Sequence, residues 1–273
     1  MISAEPSDSK TNTPHSTAPP IVLAFHKLAS QVSFGVTNYS PRRFRRLMDY
    51  LRNSDYHLCQ SLTPAPTGQP QHLMISFDDG YQHLAGWLPQ LMKQYNFKPL
   101  VFMPTAWIGK SNRWDYSHLF RSVPHLDRRS IQDLARIGVQ FGSHGHSHVD
   151  LTSCDEPKLI RELTESKDIL EQLTGQDITT ISYPFGRCNR RVRLAVAEAG
   201  YDFGFTMDFP TDRDDIPLAH GRIAIYGYDT CFSINQKIRR GRFYHLEHLK
   251  ARITNKLSGG TVILNRWRGQ NNL

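Results

Sequence analysis

Short apolar runs and amphipathic stretches alternate along most of the chain. "IVLAFH" (21–26) is apolar almost throughout and predicts a buried strand. In "SPRRFRRLMDYLRNS" (40–54), Ser40 is placed to cap a helix, Pro41 fits its first turn, and Phe44, Leu47, Met48 and Leu51 share one face. "HLMISF" (72–77) and "PLVFMPT" (99–105) predict strands, and "HLAGWLPQLMKQY" (83–95) a helix that Pro89 should bend or split. "RRSIQDLARIG" (128–138) predicts a helix stopped by Gly138, and "VQFGSH" (139–144) the next strand. "SCDEPKLIRELTESKDILEQLTG" (153–175) opens on the capping-box pattern Ser153-x-x-Glu156, keeps Leu159, Leu163, Leu170 and Leu173 at helical spacing, and ends at Gly175. A strand over "DITTISYPF" (177–185), a helix over "NRRVRLAVAEAG" (189–200) and a strand over "YDFGFTM" (201–207) continue the rhythm.

Repeated strand–helix units predict an α/β fold with a mostly parallel sheet. Their number points to a distorted (β/α) barrel, closed or nearly so, with an open doubly wound sheet as the alternative. The first twenty residues, rich in Ser, Thr and Pro, predict a disordered polar leader with no apolar segment of a secretory signal. The rest, 21–273, reads as one catalytic domain, with the weakest pattern over 243–273. No stretch is long and apolar enough to span a membrane. The expected location is the cytoplasm, or outside it if the natural start lies further upstream.

Composition narrows this picture a little. A chain of 273 residues that is 39% hydrophobic can bury a real core. The net charge of +8 favours an anionic partner such as an acidic glycan, lipid headgroups or nucleic acid. Arg42, Arg43, Arg45 and Arg46 surround Phe44 and Leu47 as a solvated helix face would, and no nucleic-acid-binding signature is present. The four cysteines are far apart, without a C-x-x-C pair, so a zinc knuckle or redox motif is not expected.

The chemistry concentrates at predicted strand ends. His26 ends the first strand, Asp78 and Asp79 follow "LMISF", the histidines of "GSHGHSHVDL" (142–151) follow "VQFG", and Tyr183, Pro184, Phe185 and Gly186 follow "TTIS". In a βα barrel these ends share one rim, where active sites lie. Asp-Gly alone would be an ordinary turn. Three histidines within five residues, broken by glycines and paired with a strand-end Asp-Asp, point instead to a metal.

Ser76-Phe77-Asp78-Asp79-Gly80 and His144-Gly145-His146-Ser147-His148, in this order, resemble the first two motifs of the polysaccharide deacetylases with a NodB-homology domain, carbohydrate esterase family 4. "SYPFG" (182–186) is similar to the end of their third motif but lacks its Arg, and Gly145 stands where the family carries a small hydroxyl residue. The resemblance covers roughly residues 20 to 240. It implies Asp78 as general base, and Asp79, His144 and His148 as ligands of a divalent metal, Zn²⁺ first, with Co²⁺, Ni²⁺ or Mn²⁺ as alternatives. It implies an oxyanion and substrate wall at Tyr183, Pro184 and Phe185, with the Phe185 N–H as donor. Arg222 of "AHGRIAI" is the candidate for the missing Arg. The family's last motif supplies a His that protonates the leaving amine, but the corresponding run, "GGTVILNRW" (259–267), carries Asn265. His26, His220, His245 and His248 are the candidates for that acid, His26 first. The implied substrate is an acetylated, possibly anionic, polysaccharide or cell-wall glycan losing N-acetyl or O-acetyl groups. The alternatives are hydrolysis of another amide or ester on the same scaffold, and a non-catalytic carbohydrate-binding relative.

Overall fold

In the computed structural model, residues 20–29, 36–62, 71–111, 123–207 and 218–258 are described. Their strands are β1 (Ile21–Phe25), β2 (Lys27–Leu28), β3 (Asn38–Tyr39), β4 (Tyr56–Leu58), β5 (Gln71–Phe77), β6 (Leu100–Met103), β7 (Gln140–Ser143), β8 (Thr180–Ser182), β9 (Phe203–Thr206), β10 (His220–Gly221) and β11 (Ile223–Ala224). The helices are α1 (Pro41–Arg52), α2 (His83–Tyr95), α3 (Arg128–Arg136), α4 (Glu156–Thr174), α5 (Arg190–Glu198), α6 (Cys231–Arg239) and α7 (Tyr244–Ser258).

The main sheet runs β10-β9-β8-β7-β6-β5-β1-β11, with β4 also on β5, and its strand pairings are parallel. Only Arg222 separates β10 from β11. His220 and Gly221 pair with β9, while Ile223 and Ala224 pair with β1. One short segment therefore joins both edges of the sheet into a distorted barrel, as the sequence pattern predicted.

Side chains alternate across each strand. On β1 and β5 this sends Val22 and Met74 inward to pack with Leu100, Phe102 and Phe205, and Leu23, Phe25, Ile75 and Phe77 outward under the helices. Phe44 of α1 meets Phe25 and Phe77 at ring separations of 5.3 and 5.9 Å. The predicted face of α1 is buried, and Ser40 Oγ accepts the Arg43 N–H.

Two local expectations change. Pro89 does not split α2: the helix runs through it as one element, with Pro89 exposed and Leu84, Leu88, Leu91 and Tyr95 on the buried side. The cap of α4 is Asp155, which accepts from Lys158 N–H at 2.9 Å. Ser153 instead ends a preceding short turn, its hydroxyl bonded to the Asp150 carbonyl. The proposed strand at 259–267, with Asn265, lies outside the described residues. The cysteines are free thiols. Among the described residues no helix is long and apolar enough to cross a membrane.

Candidate metal centre and its proton-handling partner

Because the strands are parallel, His26, Asp78, Asp79, His144 and Tyr183 all emerge at one end of the barrel. Inward alternation along β5 continues through Met74 and Ser76 to Asp78. The next residue breaks it. Asp79 takes a left-handed backbone, φ 65°, and Gly80 follows at φ 55°. Glycine suits this position, since at this φ a side chain is strained and a Cβ would lie 2.3 Å from Met103 Sδ, forcing Met103 to shift. The left-handed turn costs Asp79 roughly 1–2 kcal/mol and is held by His125, whose Nδ1 donates to the Asp79 carbonyl at 2.6 Å.

Asp79 is thereby aimed at the histidine loop. Its Oδ1 lies 3.3 Å from His148 Nε2 and 3.6 Å from His144 Nε2, buried and without a hydrogen bond of normal geometry. The three residues each offer a ligand atom, all within 4.8 Å of one another. A tetrahedral ion with bonds near 2.1 Å has edges of about 3.4 Å, so the two carboxylate–imidazole separations fit a metal better than a hydrogen bond. His144 Nδ1 donates to the Ser182 carbonyl at 2.7 Å, which leaves the Nε2 lone pair facing Asp79. Burial pushes the His144 ring down to about 4, so it stays neutral and able to ligate. Burial alone would raise the Asp79 carboxyl, but His148, His26 and His144 hold it well below the usual range. His146 turns elsewhere, with Nδ1 2.9 Å from Thr105 Oγ1.

Asp78 has the opposite surroundings. Arg222 donates to both its oxygens at 2.7 Å, and the same guanidinium reaches Ser182 Oγ, Ser76 Oγ and the Thr206 carbonyl. Phe102 lies under the guanidinium at 5.1 Å. Both partners are buried, and burial would raise the Asp78 carboxyl, but Arg222 outweighs it and keeps the group ionised. Arg222 sits at the seam that closes the barrel, which is why it enters the interior beside Asp78.

The histidine loop is held from below by Glu162 of α4. One carboxylate oxygen accepts the N–H groups of His146 and Ser147 at 2.8 Å each, and the other accepts the Ser147 hydroxyl. Gly145, at φ 72°, lets the loop turn close to this carboxylate, and its N–H reaches Ser143 Oγ at 3.0 Å. Ser143 and Glu162 thus anchor the loop around Gly145. His148, left-handed at φ 60°, follows directly.

Phe185 is also left-handed, φ 59°, and its ring packs 4.9 Å from His148. Pro184 is buried in the same short turn. The Tyr183 side chain is not at the rim: it is fully buried with its hydroxyl given to the Leu218 carbonyl at 2.6 Å. Arg187 bonds the buried Asp150 at 3.0 Å, linking this turn to the histidine loop.

His26 follows β1 and is half-buried, its Nδ1 enclosed and without a hydrogen bond. It is close enough to lower both Asp78 and Asp79 electrostatically. His220 packs on Phe203 and Phe205 in the barrel wall, and His245 and His248 lie on the outer helix α7. Sequence reasoning missed Glu162, His125 and Ser182. Only the periodicity of α4 carried a hint, since Glu162 falls on the side of the helix that also buries Leu159, Leu163 and Ser166.

The profile of the family described as polysaccharide deacetylase matches residues 65–204. YxkH of Bacillus subtilis (strain 168), named as a polysaccharide deacetylase, is 28% identical over 196 residues, 68% of this chain and 64% of that protein. The poly-beta-1,6-N-acetyl-D-glucosamine N-deacetylase of Staphylococcus aureus (strain MRSA252) is 22% identical over 143 residues, 49% of this chain and 47% of its own. The matches thus span less than two-thirds of these relatives. The Streptococcus pyogenes deacetylase PplD, solved with acetate, superimposes with a TM-score of 0.67 at 17% identity, covering 81% of this chain and 99% of that one, and shares the fold.

Proposed function

The chain belongs to the polysaccharide deacetylase family, and from that premise we propose that it hydrolyses N-acetyl groups on a glycan using a divalent metal held by Asp79, His144 and His148. The observation that carries this reading is the buried Asp79 Oδ1, facing two imidazole nitrogens at 3.3 and 3.6 Å beside an independently paired Asp78. When bound, such an ion supplies Lewis-acid polarisation of the acyl carbonyl and lowers the pKa of water.

The chain's own residues supply the rest. Asp78 accepts the proton of the attacking water. Arg222 fixes the plane of that carboxylate through two parallel hydrogen bonds. The Phe185 N–H is the assigned donor to the developing oxyanion. His26 gives a proton to the leaving amine, a role favoured by its place after β1 at the same rim as Asp78 and Asp79. N-acetylglucosamine polymers are the proposed substrate class, in line with the staphylococcal relative's name.

The test is acetate release from β-1,6- and β-1,4-linked N-acetylglucosamine oligomers, before chelation, after chelation and after metal return. The expected result is release lost on chelation and restored by Zn²⁺ or Co²⁺. Release indifferent to chelation contradicts the metal role, and no release from any oligomer by metal-loaded protein contradicts the substrate. His26→Ala should depress amide cleavage far more than cleavage of a chromogenic acetyl ester, because an amine leaves poorly unless protonated. Equal losses on both remove His26 from the acid role.

A further inference from the structure

Ten large apolar side chains stand exposed among the described residues, and six of them fall between Tyr228 and Ile253. The other four, Val36, Ile137, Ile160 and Leu194, are scattered along the chain, which is ordinary for a soluble surface. On α7, Leu246, Leu249 and Ile253 recur at i, i+3 and i+7 and form a single solvent-facing stripe, each more than half exposed. The far side of the same helix buries Glu247 and Ala251. Phe232 and Phe243, with rings 6.0 Å apart, add an aromatic pair near its N-terminal end.

The exposed charge on this segment is positive. Arg239, Arg240, Arg242 and Lys250 are exposed. Glu247 is the only carboxylate in residues 231–258, and it is buried and bonded to Lys250 at 2.8 Å. Arg239 also reaches Asp55 at 3.5 Å, across to the loop before β4. A second copy of the chain docking two-fold on this face would set cations against cations. A polyanion in water would gain little from Leu246, Leu249 and Ile253. An anionic lipid surface satisfies both halves, taking the apolar stripe below its headgroups and the cations among its phosphates.

We infer that the α6–α7 face docks on an anionic lipid surface. Tyr228 Oη lies 3.0 Å from Thr254 Oγ1, which ties the C-terminal half of α7 to the loop after β11, at the barrel end that carries Asp78 and His144. Docking along α7 therefore brings that rim close to the bilayer. The inference does not rest on the assigned chemistry of the site.

The experiment is co-sedimentation of the full chain with phosphatidylcholine vesicles and with vesicles also containing phosphatidylglycerol. The expected result is partitioning onto the anionic vesicles only, weakened by salt. Leu246→Glu with Leu249→Glu should abolish it, and Arg242→Ala and Lys250→Ala should each lower it by roughly fivefold. All four positions are exposed, and an unchanged circular dichroism spectrum confirms the fold. Wild-type protein that stays in solution with both vesicles overturns the inference, as does binding that survives the substitutions. Loss of a dimer in sedimentation velocity without loss of vesicle binding assigns the face to a second copy. Salt-sensitive binding to heparin with no vesicle binding assigns it to a polyanion.

Discussion

Asp78 and Asp79 are adjacent in sequence and opposite in surroundings. Asp78 is gripped by a guanidinium and backed by Ser182, with hydrogen-bond donors on both oxygens. Asp79 has a buried oxygen facing two imidazole nitrogens, and the Nδ1–H that His144 gives to the Ser182 carbonyl leaves its Nε2 a lone pair rather than a donor. Two identical side chains thus meet opposite environments, which is what the proposed division of labour between them rests on. The device that separates them is the backbone: regular alternation carries Asp78 inward to Arg222, and one left-handed residue swings Asp79 toward the histidines. The Asp78 side is satisfied by protein hydrogen bonds, whereas Asp79 Oδ1 is buried without a hydrogen-bond partner.

Substitutions should split along this line. Asp78→Asn gives the largest effect. It leaves Arg222 buried without its counter-charge, a loss of about 3–5 kcal/mol, and removes the base, for a fall of roughly 10²–10⁴-fold in turnover. Urea unfolding and acetate release measure the two losses, and metal content should stay near wild type. If Asp78→Asn also loses its metal, the two sides are not separable.

Glu162→Ala should act on the Asp79 side alone. The N–H groups of His146 and Ser147 lose their acceptor, costing about 1–3 kcal/mol, and metal affinity should fall by roughly 10–100-fold. Calorimetric metal titration reads the effect, and Glu162→Gln should recover part of it. Unchanged metal affinity in Glu162→Ala would show that the loop holds its ligands without this carboxylate.

Acidity offers a gentler probe. Because the folded Asp78 carboxyl lies below its ordinary value, the stability from its pairing is present above the unfolded pKa and is lost as pH falls through the folded one. This group's contribution should therefore be level down to about pH 5 and decline only in stronger acid. Arg222→Met removes the guanidinium and leaves burial, which raises a carboxylate. The acidic limb of the pH–rate profile should then move to higher pH, and an unmoved limb would detach Arg222 from Asp78 in catalysis. The smallest change is Ser182→Ala, about 1 kcal/mol of stability with metal binding intact.

How much of this was legible depended on sequence distance. Asp78, Asp79, His144 and His148 could be read because each pair sits in one short motif at the end of an apolar run. Arg222 could only be nominated, because its partner is 144 residues away and no local pattern marks the strand that closes the barrel. Glu162 looked like any polar position of an amphipathic helix, and only the folded loop shows what it grips. His125 stabilises a left-handed Asp79 that no sequence pattern announces. The capping box at Ser153 was a sound local pattern overridden by an equally good cap two residues later. The alternation of strands and helices gave the parallel sheet, but closure depended on five residues, His220 to Ala224, too short for periodicity to register.

The most direct test is metal stoichiometry after chelation and dialysis against Zn²⁺, read by elemental analysis and calorimetry on wild type, Asp79→Asn, His148→Ala and Asp78→Asn, with Asp78→Asn/Arg222→Met as the version of the last that leaves no buried charge unpaired. The account predicts one tightly held ion per chain in wild type and both Asp78 variants, and none in Asp79→Asn or His148→Ala. Retention of the ion by Asp79→Asn, or its loss from Asp78→Asn/Arg222→Met while the fold is intact, would contradict the division of labour between the two aspartates.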